Sequence, residues 1–173
     1  LEYLFPGIVA LILLFTAIFS TIYIVEERQP GLLQAALVAP VSRLSIVLGN
    51  LAGGVTLALA EALLFLLLAP LVGLTPSVVG LLVIVLASVS MATAFTALGF
   101  TIAWRLDTTR GFHAIMNLVL LPMWILSGAF FPPEGVPMAV RWVMYLNPAF
   151  YGVAALRDGL YLPDAAPSAA GLP

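Results

Sequence analysis

Residues 78–104, VVGLLVIVLASVSMATAFTALGFTIAW, run for 27 positions without a charged side chain. Coiled as an α-helix they would reach about 40 Å, enough to cross a hydrocarbon core of about 30 Å with some tilt. Three further runs have the same character. Residues 3–25 carry no charge, residues 44–69 carry one, at Glu61, and residues 112–131 carry none. The predicted transmembrane spans are therefore about 3–25, 44–69, 78–104 and 112–131. With 63% hydrophobic and 8% charged residues, and a mean hydropathy of +1.18, the chain lies far from soluble domains, which are nearer about 25% charged. It reads as an all-α, multi-pass integral membrane protein, with residues 1–173 forming one transmembrane domain.

The longest polar-punctuated break in the first hundred residues is 26–43, EERQPGLLQAALVAPVSR. Glu26, Glu27 and Arg28 end the first span in water. Pro30 and Gly31 turn the backbone. Residues 32–39 suit two helical turns, with Leu33, Leu37 and Val41 on one face at i, i+4 and i+8. Pro40 stops that helix, because the residue before proline avoids the α region. Ser42 is a candidate N-cap for the next helix. An ordinary loop with one helical turn fits the same pattern.

Orientation follows from parity. With four spans, the 26–43 and 105–110 loops share a side, and they hold Arg28, Arg43, Arg105 and Arg110, four of the six arginines. The 70–77 turn on the other side holds none. The positive-inside rule puts the arginine loops in the cytoplasm and residues 132–173 outside. In that outer segment, Pro132, Pro133 and Pro137 precede two amphipathic pieces, 138–146 and 149–160, separated by Asn147–Pro148 as a turn and helix start. Trp142, Tyr145, Tyr151 and Tyr161 suit the headgroup zone. These pieces are expected to be outer interfacial or re-entrant helices.

Few side chains offer chemistry. Glu61 in the second span costs about 3 kcal/mol on an insertion scale, which the surrounding Leu, Ile, Val and Phe offset at about 0.4 kcal/mol each. Its plainer reading is a hydrogen-bonded carboxyl at a helix interface, and its sharper one a substrate or proton path. Gly49 and Gly53 form a G-x-x-x-G face suited to close helix packing. Ser88, Ser90, Thr93, Thr96 and Thr101 can bond across helices or back to their own carbonyls. His113 and Asn117 lie at i, i+4, and no carboxylate at a useful spacing completes a metal site with His113. The chain has no Cys and no Lys. Disulfides and thiol chemistry are excluded, and so is a P-loop, which requires lysine. No nucleophile elbow, zincin motif or nucleic-acid patch is present. The chain is a poor enzyme candidate, and no catalytic residue is expected.

Two segments resemble the ABC-2 type permeases, the membrane subunits of ATP-driven exporters. Glu27-Arg28, Gly31, Leu33, Pro40, Ser42, Arg43 and Gly49 are similar to that family's E-R/K-x-x-G-x-L-x-x-L-x-x-P-x-S-R-x-x-x-x-x-G segment, with Pro30 as a departure. Leu126-Ser127-Gly128 through Phe131-Pro132, then Pro137, Asn147-Pro148 and Arg157, resemble its L-S-G-x-x-F-P…P…N-P…R signature. The resemblance covers nearly the whole chain. Relatives have six helices, so it implies a segment lacking the first and last.

The resemblance implies the following arrangement. Two permease subunits, identical or homologous, pair in a bacterial or archaeal inner membrane, each on a cytoplasmic ATPase subunit that binds ATP and Mg. This chain itself binds no cofactor and no nucleic acid. Residues 31–39 would be the coupling helix, framed by Glu26, Glu27, Arg28 and Arg43, with Gly31, Leu33, Leu37 and Pro40 shaping it. Pro132, Asn147, Pro148 and Arg157 would belong to an outer gate. The cargo would be a lipophilic, drug-like or glycan molecule. The competing readings are a proton-coupled secondary transporter using Glu61 and His113, a membrane assembly component, and an intramembrane enzyme, for which no paired catalytic group is found.

Overall fold

The computed structural model describes residues 2–28 and 42–162. All regular structure among them is helical. Helix α1 spans Phe5–Phe19 and α2 Tyr23–Arg28. Helix α3 is Arg43–Leu66, α4 Val78–Ala103 and α5 Thr109–Trp124. A wide turn at Ile125–Ala129 follows, then α6 at Met138–Leu146 and α7 at Pro148–Tyr161. Four stretches are long and apolar enough to cross a membrane: Phe5–Glu26, Leu44–Leu66, Val78–Ala103 and Thr109–Ala129.

The four predicted spans are present, and local chemistry sets their limits. The first is interrupted at residues 20–22. Ser20 Oγ donates to Ala17 O at 2.8 Å and Thr21 Oγ1 to Ile18 O at 2.7 Å. Such bonds compete with the backbone ladder and tighten the turn. Ser42 caps α3 as expected, its Oγ accepting Ser45 N–H at 3.1 Å. Ser77 and Thr108 cap α4 and α5 in the same way, through Gly80 N–H at 3.0 Å and Gly111 N–H at 3.1 Å. The Thr108 cap explains why the fourth span starts at Thr109 rather than at 112. On α4, Ser90, Thr93, Thr96 and Thr101 turn back to carbonyls four residues earlier, at 2.7–2.8 Å, rather than across to other helices.

Helix α1 is the hub. Half of its span is buried, against 17% for α3, and Val9, Leu13, Leu14, Ala17 and Ile18 are wholly enclosed. Its neighbours form an open arc. Helix α3 packs on α1 and α4, and α4 on α1 and α7, while α7, the 125–129 turn and α5 close on α1 from the other side. Helices α3 and α5 make no comparable contact with each other. A strip of α1 with Ile12, Phe15, Thr16 and Phe19 therefore stays half-buried between them.

The alternation of directions defines two ends. One, the loop end, carries Glu26, Arg43, Trp104 and Thr109. The other, the cap end, carries Phe5, Leu66, Val78 and the α6–α7 hairpin. That hairpin enters the bundle instead of lying along its surface. Gly159 lies against Gly80 near the start of α4, and Gly152 against Met91. Pro148, at the N-terminus of α7, shares a groove with Phe95, past the middle of α4. Of the two predicted forms of the segment, interfacial or re-entrant, this packing has the geometry expected of the re-entrant one.

Candidate functional site

Polar side chains gather at two places, and the cap holds the first. Asn147 is buried at the inner tip of the hairpin. Its Oδ1 accepts Ala149 N–H at 3.0 Å, capping α7, and its Nδ2 donates to Met123 O at 2.6 Å. One amide thus closes the α6–α7 turn and ties it to α5. That carbonyl is set a few residues ahead of the wide turn in which Gly128 adopts φ +81°, a left-handed conformation that favours glycine. Arg157 Nη2 donates to Gly128 O at 3.0 Å, and its guanidinium carbon sits 4.4 Å from the centroid of the Tyr3 ring. Trp124 Nε1 donates to Gly7 O at 2.9 Å. The Asn147, Arg157 and Trp124 side-chain bonds to residues 123, 128 and 7 each cross between separate elements. Together they lock the start of α1, the end of α5 and the hairpin into one unit.

Of the residues expected at an outer gate, Asn147 and Arg157 meet the same stretch, 123–128. Pro148 is the first residue of α7, and Pro132 is exposed on the connection to α6. Tyr3, Gly7 and Trp124 join them and were not anticipated from the sequence. Tyr3 and Gly7 lie at the opposite end of the chain from the signature, and no spacing rule links them to it.

The half-buried strip of α1 is the second place. Thr16 Oγ1 donates to Glu61 Oε2 at 2.5 Å, so the α3 carboxylate is a hydrogen-bonded group at a helix interface. It is nevertheless exposed on the surface of this chain. One turn along α1, the Phe19 ring lies 5.4 Å from His113 of α5. His113 and Asn117 are exposed beside that strip. Glu61 and His113 thus flank one face of α1 from its two sides. No group of three or more His, Asp or Glu able to hold a metal occurs among the described residues.

The 26–43 segment is described only at its edges. Glu26 is exposed on α2, Glu27 and Arg28 end that helix, and Arg43 begins α3. Gly31, Leu33, Leu37 and Pro40 lie outside the described residues. Gly49 and Gly53 are on the exposed side of α3, and among the described residues no neighbouring element comes within 4 Å of where a Cβ would stand.

Comparison with known proteins places the chain in a family. The chain is 27% identical over 161 residues to a protein of Escherichia coli K12 described as "Probable multidrug ABC transporter permease YbhS", and equally so to that of E. coli O157:H7. Each match covers 91% of this chain and 42% of the relative, so the chain spans about two fifths of the length of these curated relatives. No solved structure matches it. The ABC-2 type transporter family matches residues 2–161, nearly the whole chain, and this multi-pass membrane protein belongs to that family.

Proposed function

We propose that this chain is the core of the membrane subunit of an ATP-driven exporter, and that it relays ATPase work through residues 26–43 to an outer gate. The observation that carries the reading is the central place of α1. Its loop end runs through α2 into Glu26, Glu27 and Arg28, and its cap end is bonded through Gly7 and Tyr3 to Trp124 and Arg157. Helix α3 starts at Arg43, on the other side of the same segment, and packs along α1. A displacement of residues 26–43 would move both helices, and α1 would carry it to the hairpin. In this reading Gly31, Leu33, Leu37 and Pro40 shape a short helix seated in an ATPase subunit, and Glu26, Glu27, Arg28 and Arg43 frame it with ion pairs. A second permease subunit completes the path, and the multidrug label of the relatives favours a lipophilic cargo. ATP and Mg would be held by the ATPase, not by this chain.

The test uses the full-length permease with its ATPase in inverted membrane vesicles. Arg28→Glu should abolish most ATP-driven transport at normal expression, and a cysteine at position 33 should react with impermeant reagents from the cytoplasmic side only. Unchanged transport in Arg28→Glu, or labelling of position 33 from outside, would sink the relay. A proton-driven carrier is the second reading, favoured by Glu61 and His113 flanking one face of α1. It predicts transport that persists when ATP is removed and a proton gradient is held.

A further inference from the structure

Glu61 is the one charged side chain away from the ends of the described spans. Its depth can be read from neighbours. A Cβ on Gly54 would touch Thr96 of α4, and Glu61 lies two turns further toward the cap, about 10 Å along α3. Thr96 is about 27 Å from the start of α4, a helix about 39 Å long. The carboxylate is thus about 17 Å below the cap end of α4, near mid-span. Among the described residues it accepts one bond, from Thr16, while a carboxylate has about four acceptor positions.

A charge at this depth facing lipid is unfavourable. The surroundings are aromatic on both sides. Toward the cap, Phe65, one turn along α3, stacks on Phe5 with centroids 5.0 Å apart. Toward the loop end, Phe19, one turn beyond Thr16, stacks on Phe15 with centroids 5.9 Å apart. Phe15, Phe19 and Phe65 are only half-buried, and among the described residues α3 and α5 leave the strip between them open. One carboxylate and one hydroxyl are too few oxygens for a hard metal ion, which takes about six or more. A large organic cation needs fewer. Its dispersed charge is neutralised by one carboxylate, and ring faces attract it further.

We propose that the Thr16–Glu61 pair recognises the positive charge of a lipophilic organic cation, whose apolar body lies against the flanking phenylalanines. The proposal takes from the export reading only the idea that a lipophilic cargo is moved, and binding can be measured apart from transport.

The full-length permease in lipid nanodiscs is titrated with tetraphenylphosphonium and with tetraphenylborate, two ions of the same shape and opposite charge. After subtraction of empty nanodiscs, the wild type should bind the cation at least about tenfold more tightly than the anion. Glu61→Gln, which keeps an acceptor for Thr16 and hence the helix contact, should bring that ratio close to one. Glu61→Asp should retain most of it. A wild type with no preference for the cation overturns the proposal, and so does a Glu61→Gln protein that keeps the preference. A Glu61→Gln protein that melts earlier and weakens both ions equally also overturns it, because that is a structural role. Uptake of the phosphonium into inverted vesicles with the ATPase present separates this idea from the export reading. Intact preference without ATP dependence sinks export and leaves the site. ATP-driven uptake that ignores Glu61→Gln sinks the site and leaves export.

Discussion

Helices α7 and α3 both carry spaced glycines, and the two sets meet opposite surroundings. On α7, Gly159 faces Gly80 of α4 so closely that a Cβ on either would run into the other's backbone oxygen. Gly152 on the same helix faces the Met91 side chain, which is flexible and can move aside. On α3, Gly49 and Gly53 face no other element among the described residues, although they alone fit the G-x-x-x-G spacing expected to mark a contact. Only Gly54, the next residue, packs, against Ser20 and Thr96. Close approach of two helices requires small residues on both, at matching height. The spacing on one helix specifies a smooth face and not what covers it.

The sharpest break in that contrast is Gly80→Val. Its side chain would meet a backbone carbonyl and not a rotatable group, so the α4–α7 contact must open. A loss of about 3 kcal/mol is expected, at the upper end of overpacking effects, read from thermal unfolding of the full-length protein in detergent. Little change would mean that the hairpin does not seat against α4. Asn147→Ala comes next, at about 2 kcal/mol. It removes a cap, about 1 kcal/mol, and leaves the Met123 carbonyl inside the bundle without its donor, about 1 kcal/mol or more. The same melt measures it. A cost below about 0.5 kcal/mol, within the ordinary range for surface changes, would place the hairpin tip in water.

The sequence made some of this legible and hid the rest, for identifiable reasons. Hydropathy located all four spans, because a run such as 78–103 has only one way to satisfy its backbone in lipid. The cap at Ser42 and the helix start at Asn147–Pro148 were readable because such signals are local, a cap being one side chain that bonds an amide two or three residues on. Residues 132 and 147–157 were recognisable as a group through their signature, but not their partners. Tyr3, Gly7 and Trp124 reach the cap through contacts across more than a hundred residues, as in the Trp124–Gly7 bond, and no periodicity reports such a pairing. Glu61 was visible as an intramembrane acid, but Thr16 was not visible as its donor, since the pair depends on how α1 and α3 are rotated against each other. Depth was also hidden. The amphipathic pieces 138–146 and 149–160 fit a membrane surface as well as a re-entrant hairpin, and contacts made far along α4, such as Gly152 with Met91, distinguish them.

Gly128→Ala sharpens the cap side of the comparison with a smaller effect. At φ +81° an alanine is strained by about 1 kcal/mol. Its Cβ would approach the Phe150 ring edge no closer than 3.4 Å, an ordinary contact, so conformation and not crowding sets the cost. The carbonyl that accepts Arg157 belongs to this residue, so the same substitution should increase the mobility of a spin label placed on α7. An unchanged melt and an unchanged label would show that the left-handed turn does not hold the hairpin.

The smallest expected effect belongs to α3, and its sign is informative. Alanine at position 49 or 53 meets no neighbouring element among the described residues, and it favours the helix by removing glycine's extra backbone freedom. In lipid, where both residues satisfy the same backbone bonds, the net change should stay within about 0.5 kcal/mol of zero. That expectation applies to the chain by itself. If the face of α3 bearing Gly49 and Gly53 packs on a second permease subunit, the same methyl groups would intrude into a close helix contact. The Gly49→Ala, Gly53→Ala double variant should then leave the monomer's melt unchanged and weaken subunit association, read by crosslinking between copies in the membrane. Unchanged crosslinking together with an unchanged melt would show that these glycines have no packing role between subunits.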